Sequence, residues 1–149
     1  MTAGALEGRR VLVVGAGTRP SPDDEDLVGN VRAIAVLAGR AGATVACADA
    51  DEGAATRTAA LVEAEGVRAH VLVGDVTDAP TCARLVQEAA RVMGGLDGLV
   101  CNVGVCAGVG MTGTTAAQWD EVFAVNVRSH FLLAAAALPH LPAGGAIVF

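Results

Sequence analysis

The chain reads as an α/β protein built on a doubly wound parallel sheet, and three observations lead there. Short apolar runs without polar alternation recur along it, among them Val11-Leu12-Val13-Val14, Val71-Leu72-Val73 and Leu99-Val100-Cys101. Such runs are expected of strands covered on both faces. Between them lie segments whose apolar residues fall at helical spacing, and glycine or proline punctuates the joints. Alternation of this kind favours parallel strands joined by right-handed crossovers. The implied strand order is 3-2-1-4-5, within one domain spanning residues 1–149.

Each element follows from local signals. Val11 to Val14 is the first strand, ending at Gly15. A helix around Val31 to Ala41 turns Val31, Ile34, Ala35 and Ala38 to one face, and Gly42 stops it. Thr44 to Asp49 is the second strand and Ala54 to Glu65 the second helix. Arg68 to Gly74 is the third strand. Asp78 caps the third helix, Pro80 sits in its first turn and Gly94-Gly95 end it. Its buried stripe is Cys82, Leu85, Val86, Ala89 and Met93. Leu99 to Asn102 is the fourth strand. A glycine-rich loop then leads to a long helix from Ala116 to Leu138, stopped by Pro139. Ala146 to Phe149 begins a fifth strand, where the sequence is expected to be truncated.

Composition narrows the function. The chain is 53% hydrophobic but only 3% aromatic, so small residues do the packing. Charged residues make up 17%, below the ~25% of an average soluble domain, which implies extensive burial and a subunit interface. The net charge of -6 comes without a basic patch, which argues against nucleic acid as a partner. A local phosphate site can still overcome an acidic surface. Cys47, Cys82, Cys101 and Cys106 form no C-x-x-C pair and have no histidine close by in sequence, so free thiols of a reducing cytoplasm are expected and no metal site. Asp23 to Asp26 lacks the spacing of a calcium loop and reads as a solvated acidic stretch. The amino terminus has no apolar signal core. Phe131 to Leu138 is shorter than the ~20 residues that span a bilayer. A cytoplasmic protein without membrane contact is expected.

The candidate binding residues cluster after strands. Gly15-Ala16-Gly17 follows the first strand, and Gly29-Asn30 precedes the helix that begins near Val31. Glycines there admit a pyrophosphate to the backbone, and the helix N-terminus offers N–H groups to it; two glycines after a strand also make ordinary turns. Asp49 ends the second strand, where a carboxylate accepts hydrogen bonds from adenosine ribose hydroxyls. Its charge repels a 2′-phosphate and so favours NAD over NADP, with Arg19 as the residue pulling the other way. Asp51 is a second candidate, past the strand. Asp75-Val76 ends the third strand, where the aspartate meets an adenine amino group or else serves a turn. Asn102, Val103 and Gly104 end the fourth, with Asn102 fastening neighbouring strands and Gly104 admitting the cofactor, or all three forming a plain strand-to-loop turn. His130 and His140 read as surface or interface residues, His70 as structural and Trp119 as a core anchor.

These stretches together resemble the short-chain dehydrogenase/reductase family along the whole chain. Gly15-Ala16-Gly17, Gly29 and Arg32 to Ala35 look like its glycine-rich loop and first helix, with about ten extra residues in the loop and Val31 where the family places its last glycine. Asp75-Val76 looks like its adenine-contacting pair. Gly95 to Gly104 resembles the stretch ending in its N-N-A-G motif, with Cys101 and Val103 in place of the first asparagine and the alanine. Gln118-Trp119-Asp120 with Val122 to Val127 resembles its long interface helix, and Gly144 to Val148 the approach to its catalytic serine. The long loop is also similar to that of the enoyl reductases of the same superfamily; ketone and alcohol dehydrogenases with an enlarged first loop match the rest better.

The resemblance implies a Rossmann fold, an NAD(P)-dependent oxidoreductase acting on a small carbonyl or alcohol substrate, and a homo-oligomer assembled through the 116–138 helix. It makes Asn126 the active-site asparagine, opening a kink and feeding a proton relay; its flanks Phe123, Val125, Val127 and Phe131 imply buried surroundings. The family's tyrosine-lysine pair and strand-five serine have no counterparts here, since the chain has no tyrosine. The expectation is therefore an N-terminal cofactor-binding portion, inactive alone. The alternative is a non-catalytic nucleotide-binding module or remnant.

Overall fold

A computed structural model describes residues 4–18 and 29–149. The elements run β1 (Arg10–Val14), α1 (Asn30–Arg40), β2 (Thr44–Asp49), α2 (Glu52–Glu63), β3 (Ala69–Val73), α3 (Ala79–Met93), β4 (Gly98–Cys101), α4 (Gly110–Gly113), α5 (Ala116–Phe123), a π turn (Ala124–Arg128), α6 (Ser129–Ala137), a 3-10 turn (Leu138–His140) and β5 (Ala146–Val148). All strand pairs are parallel, in the order β3-β2-β1-β4-β5. The doubly wound sheet expected from the alternation of apolar runs and helical segments is present.

Helices cover both faces. On one side Val31, Ala35 and Ala38 of α1 and Ala59 and Val62 of α2 pack on Val11, Val13, Val45 and Cys47. On the other, Cys82, Leu85, Val86 and Ala89 of α3 and Leu133 and Ala137 of α6 pack on Leu12, Val14, Ala46 and Leu99. Burying one such aliphatic side chain contributes about 1.5–3 kcal/mol. Alanines and one glycine bring α1 and α2 close: a Cβ at Gly39 would fall 2.9 Å from Val62 Cγ1.

Three expectations are corrected. β3 is an edge strand, so Val71 and Val73 stay partly exposed while Leu72 is buried. The loop before the long helix contains the short helix α4. The long helix is not uniformly α-helical, because the π turn splits it and a 3-10 turn ends it at Pro139. The run Ala116–His140 is 25 residues long and holds an 18-residue stretch of mean hydropathy 1.4, long and apolar enough to cross a membrane by length and composition alone. The apolar stretch is thus longer than Phe131–Leu138. Its inner face is nevertheless occupied by protein, since Ser129, Leu133 and Ala137 are buried.

At the opposite, amino-terminal edge of the sheet, Asp97 ties β1 to the entry of β4. Its carboxylate accepts from Arg10 Nε at 2.6 Å, from Arg10 Nη2 at 3.1 Å and from the Arg10 backbone N–H at 3.0 Å. Arg9 lies 3.6 Å away. These donors hold the Asp97 carboxyl below the usual range, the Arg10 hydrogen bond first among them.

Candidate functional site

Parallel strands end on one edge, and β1, β2, β3 and β4 deliver Gly15, Asp49, Asp75 and Asn102 there. The winding direction changes between β1 and β4, which opens a crevice where the loops leave the sheet to opposite sides.

The glycine loop is built into that crevice. Gly15 adopts φ +80°, and a Cβ on it would fall 2.7 Å from Val103 Cα. Its N–H and that of Ala16 donate to Ala48 O at 2.8 and 3.0 Å. Gly17 N–H donates to Asp49 Oδ2 at 2.8 Å, and a Cβ on Gly17 would fall 2.6 Å from Ala54 Cβ. Behind the loop, the buried Thr58 hydroxyl donates to Ala16 O at 2.8 Å and accepts from Arg32 Nε at 3.2 Å. The Thr18 hydroxyl oxygen is buried with no hydrogen-bond partner among the described residues. Arg19 and the acidic stretch 20–26 lie outside the described residues.

The start of α1 completes the cradle. Gly29 is its N-cap, with no side-chain cap and no acidic residue in the first turn. α2, α3 and α5 are instead capped by Asp51, Asp78 and Thr115. The uncapped end leaves backbone donors and a positive dipole terminus for an anion. Asn30, the first helical residue, is exposed.

Asp49 is half-buried and also accepts from Asp51 N–H at 3.0 Å. Asp51 Oδ1 accepts from Ala54 N–H at 2.9 Å, so this side chain caps α2. Asp75 is exposed, and its Oδ1 accepts from Thr77 N–H and Thr77 Oγ1, both at 2.8 Å. Val76 buries its side chain in the core below that turn.

Asn102 is exposed and makes no side-chain hydrogen bond among the described residues. The fastening expected of it falls to Asn126, which occupies the π turn. Asn126 Oδ1 accepts from Val105 N–H at 2.8 Å and its Nδ2 donates to Val105 O at 2.9 Å. A Cβ on Gly104 would sit 3.7 Å from Asn126 Oδ1. The surroundings of Asn126 are only partly as expected: Val125 is buried, whereas Phe123, Val127 and Phe131 are exposed. Trp119 is likewise no core anchor; it is exposed and stacks on Phe123 with ring centroids 4.6 Å apart. His130 is half-buried, its Nε2 lying 3.1 Å from Val103 O and its ring stacked on Phe149. It therefore supports the loop after β4 rather than standing on the surface. His140 is exposed, and His70 is half-buried in β3.

Residue order alone did not reveal the Thr58–Arg32 brace or the bond from Arg128 Nη1 to Thr77 O at 2.9 Å. Thr58 left one signal, as the polar member of a buried stripe with Ala55, Ala59 and Val62. Among the described residues, no group of three or more His, Cys, Asp or Glu is placed to hold a metal. An apolar cavity of about 540 Å³, lined in part by Leu6, Ile34, Leu37 and Val148, lies at the amino-terminal edge beside Arg9 and Asp97 and includes none of the candidate-site residues.

A family model described as enoyl-(acyl carrier protein) reductase matches residues 30–149. The chain is 41% identical over 106 residues to 2-(S)-hydroxypropyl-CoM dehydrogenase 3 of Xanthobacter autotrophicus, covering 71% of this chain and 42% of that protein. A Burkholderia xenovorans structure assigned to the short-chain dehydrogenase/reductases superimposes with a TM-score of 0.87 at 36% identity, over 97% of this chain and 54% of that one. A short-chain dehydrogenase from Burkholderia cenocepacia in complex with NADP gives a TM-score of 0.80 at 30% identity, over 95% and 54%. The chain spans about half the length of the curated relatives it matches.

Proposed function

The chain belongs to the short-chain dehydrogenase/reductase family, and from that premise we propose that it forms the dinucleotide-binding part of an oxidoreductase acting on a small carbonyl or alcohol. One observation carries the reading: the Gly17 N–H to Asp49 Oδ2 hydrogen bond. It joins the glycine loop to the carboxylate at the end of β2, so the candidate phosphate and ribose positions form one continuous surface.

On that surface Gly15 and Gly17 let the loop pack close against Val103, Ala54 and Asp49, and a pyrophosphate would meet the N–H groups at Gly29 and Asn30 with the Thr18 hydroxyl beside them. Asp49 accepts from the ribose hydroxyls. Asp75 and Val76 border the adenine; Asn102, Val103 and Gly104 wall the crevice toward the nicotinamide. When bound, the nicotinamide supplies or accepts the hydride. Asn126 holds Val105 and so keeps that wall in place.

NAD is the cofactor this site favours, because the Asp49 carboxylate repels a 2′-phosphate. The Burkholderia cenocepacia neighbour was crystallised with NADP, so the fold itself does not decide the preference; this reading rests it on residue 49, with Arg19 the residue that pulls the other way. The hydroxypropyl-CoM dehydrogenase relative supports alcohol or ketone chemistry; the family model's description points to enoyl reduction as the second substrate class. The chain contains neither tyrosine nor lysine. A tyrosine-lysine proton relay is therefore not made by these residues, which also supports a reading as a nucleotide-binding module. A cytoplasmic homo-oligomer, joined through the exposed face of the 116–138 helix, fits this assignment.

Calorimetric titration with NAD and NADP tests it. NAD is expected to bind about tenfold tighter or more, a difference of about 1.4 kcal/mol, and Asp49→Ala to narrow that gap. Equal affinities or a preference for NADP would remove Asp49 as the selector. Binding of neither dinucleotide would remove the site.

A further inference from the structure

The π turn carries two polar side chains, and each reaches a different loop at the carboxyl edge of the sheet. Asn126 holds Val105 after β4. Arg128, the last residue of the turn, donates from Nη1 to Thr77 O at 2.9 Å, across 51 residues of sequence. Helical residues two apart do not share a face, which is how one turn grips loops on either side of it.

The partner of Arg128 is not an arbitrary carbonyl. Thr77 donates both its N–H and its hydroxyl to Asp75 Oδ1, and Asp78 N–H donates to Asp75 O at 3.3 Å. The neighbouring carbonyl, Val76 O, accepts from Cys82 Sγ at 3.2 Å. Among the described residues, every other hydrogen bond in this turn is made within it or to α3. Among them Arg128 supplies the one tie from another layer of the structure, and it ends on the residue that orients the Asp75 carboxylate.

We infer that Arg128 is a positioning residue for the adenine end of the dinucleotide site, fixing the 75–78 turn so that Asp75 faces the ligand. The inference rests on the dinucleotide reading given above. A charge-assisted hydrogen bond stronger than a neutral one is well suited to hold a turn whose remaining contacts are local. Because Asn126 and Arg128 share one turn, the adenine side and the nicotinamide side of the crevice are referred to the same rigid element.

The test combines two readouts on the full chain: calorimetric titration with NAD and ADP-ribose, and amide hydrogen exchange at Thr77, Asp78 and Val105. Arg128→Gln is expected to weaken both ligands by about three- to tenfold, the scale of one ordinary net hydrogen bond felt through the turn it holds. It should speed exchange at Thr77 and Asp78 and leave Val105 unchanged. Arg128→Lys, which keeps a donor, should recover much of both. Unaltered ADP-ribose affinity in Arg128→Gln, with the native chain binding normally, overturns the positioning role alone. Equal acceleration at Val105, or an Arg128→Gln chain that does not fold while Arg128→Lys behaves as native, makes Arg128 a general structural residue and also overturns it. A native chain that binds neither NAD nor ADP-ribose removes the dinucleotide site and this inference with it.

Discussion

Asp49 carries two backbone hydrogen bonds before any ligand arrives, from Gly17 and from Asp51. It is part of the loop's construction as well as a candidate selector, so removing it disturbs both. Asn126 shows the same doubling. Both atoms of its amide are committed to the Val105 backbone, and such bonds contribute about 0.5–1.5 kcal/mol each. In the proposed oxidoreductase, Asn126→Ala is therefore expected to lower the midpoint of thermal unfolding modestly and to reduce turnover more than NAD affinity; an unchanged rate in steady-state assays would take Asn126 out of the proposed active site. At this scale the sequence showed where the candidate residues would sit better than what they touch. Asp49 and Asp75 were visible because polar residues at strand ends are conspicuous, and Asn126 through the family resemblance. The division of labour between Asp49 and Asp51 was not, since capping depends on where α2 begins, and the two start sites differ by only two residues. Asn102 drew attention it does not repay in hydrogen bonds, and Arg128 none, because an exposed arginine on a helix gives no sign of the carbonyl it reaches.

Strands and helices were legible because the sheet is buried on both faces and its helices are amphipathic, so apolar runs and stripes mark them directly. Asp78 at the start of α3 and Gly94 in a left-handed conformation at its end follow the expected capping rules. The π turn was implied only through family resemblance; an extra residue in a helix leaves the apolar spacing almost intact. The burial of β3 was overestimated: the expected order 3-2-1-4-5 already puts it at the edge, yet Val71 and Val73 read as part of its apolar centre and are exposed. The best anchored joint between elements is Asp97 with Arg10. The folded-state pKa of Asp97 is lowered, so its contribution to stability is fully present above the unfolded-state value, ~3.9. It is lost as pH falls through the lower folded-state value. Chemical denaturation of native and Asp97→Asn chains should accordingly show a gap of about 1–3 kcal/mol at neutral pH that shrinks in acid below about pH 4. A gap independent of pH would mean that the carboxylate's charge is not what holds β1 to β4.

For the molecule as a whole, the largest asymmetry is between the two sides of the long helical run. Leu133 and Ala137 are fully buried on α3, while Trp119, Phe123, Val127 and Phe131 follow one another every four residues and all stay exposed. A contiguous stripe of this kind marks an interaction surface. In the proposed oligomer, Phe131→Asp is expected to shift the species seen by light scattering toward monomer. A native protein that is already monomeric at high concentration would remove that role from the helix. The four cysteines are distributed just as unevenly. Cys47 and Cys101 lie inside the sheet, where burial pushes their thiols up to about 12, and burial raises Cys82 too; Cys106 alone is exposed, on the loop after β4. Thiolates rather than thiols react with maleimides or iodoacetamides. The folded protein thus comes ready for site-specific labelling without engineering: one fluorophore or spin label attaches one residue beyond Val105, where it can report on the grip of Asn126 while leaving both packed layers untouched.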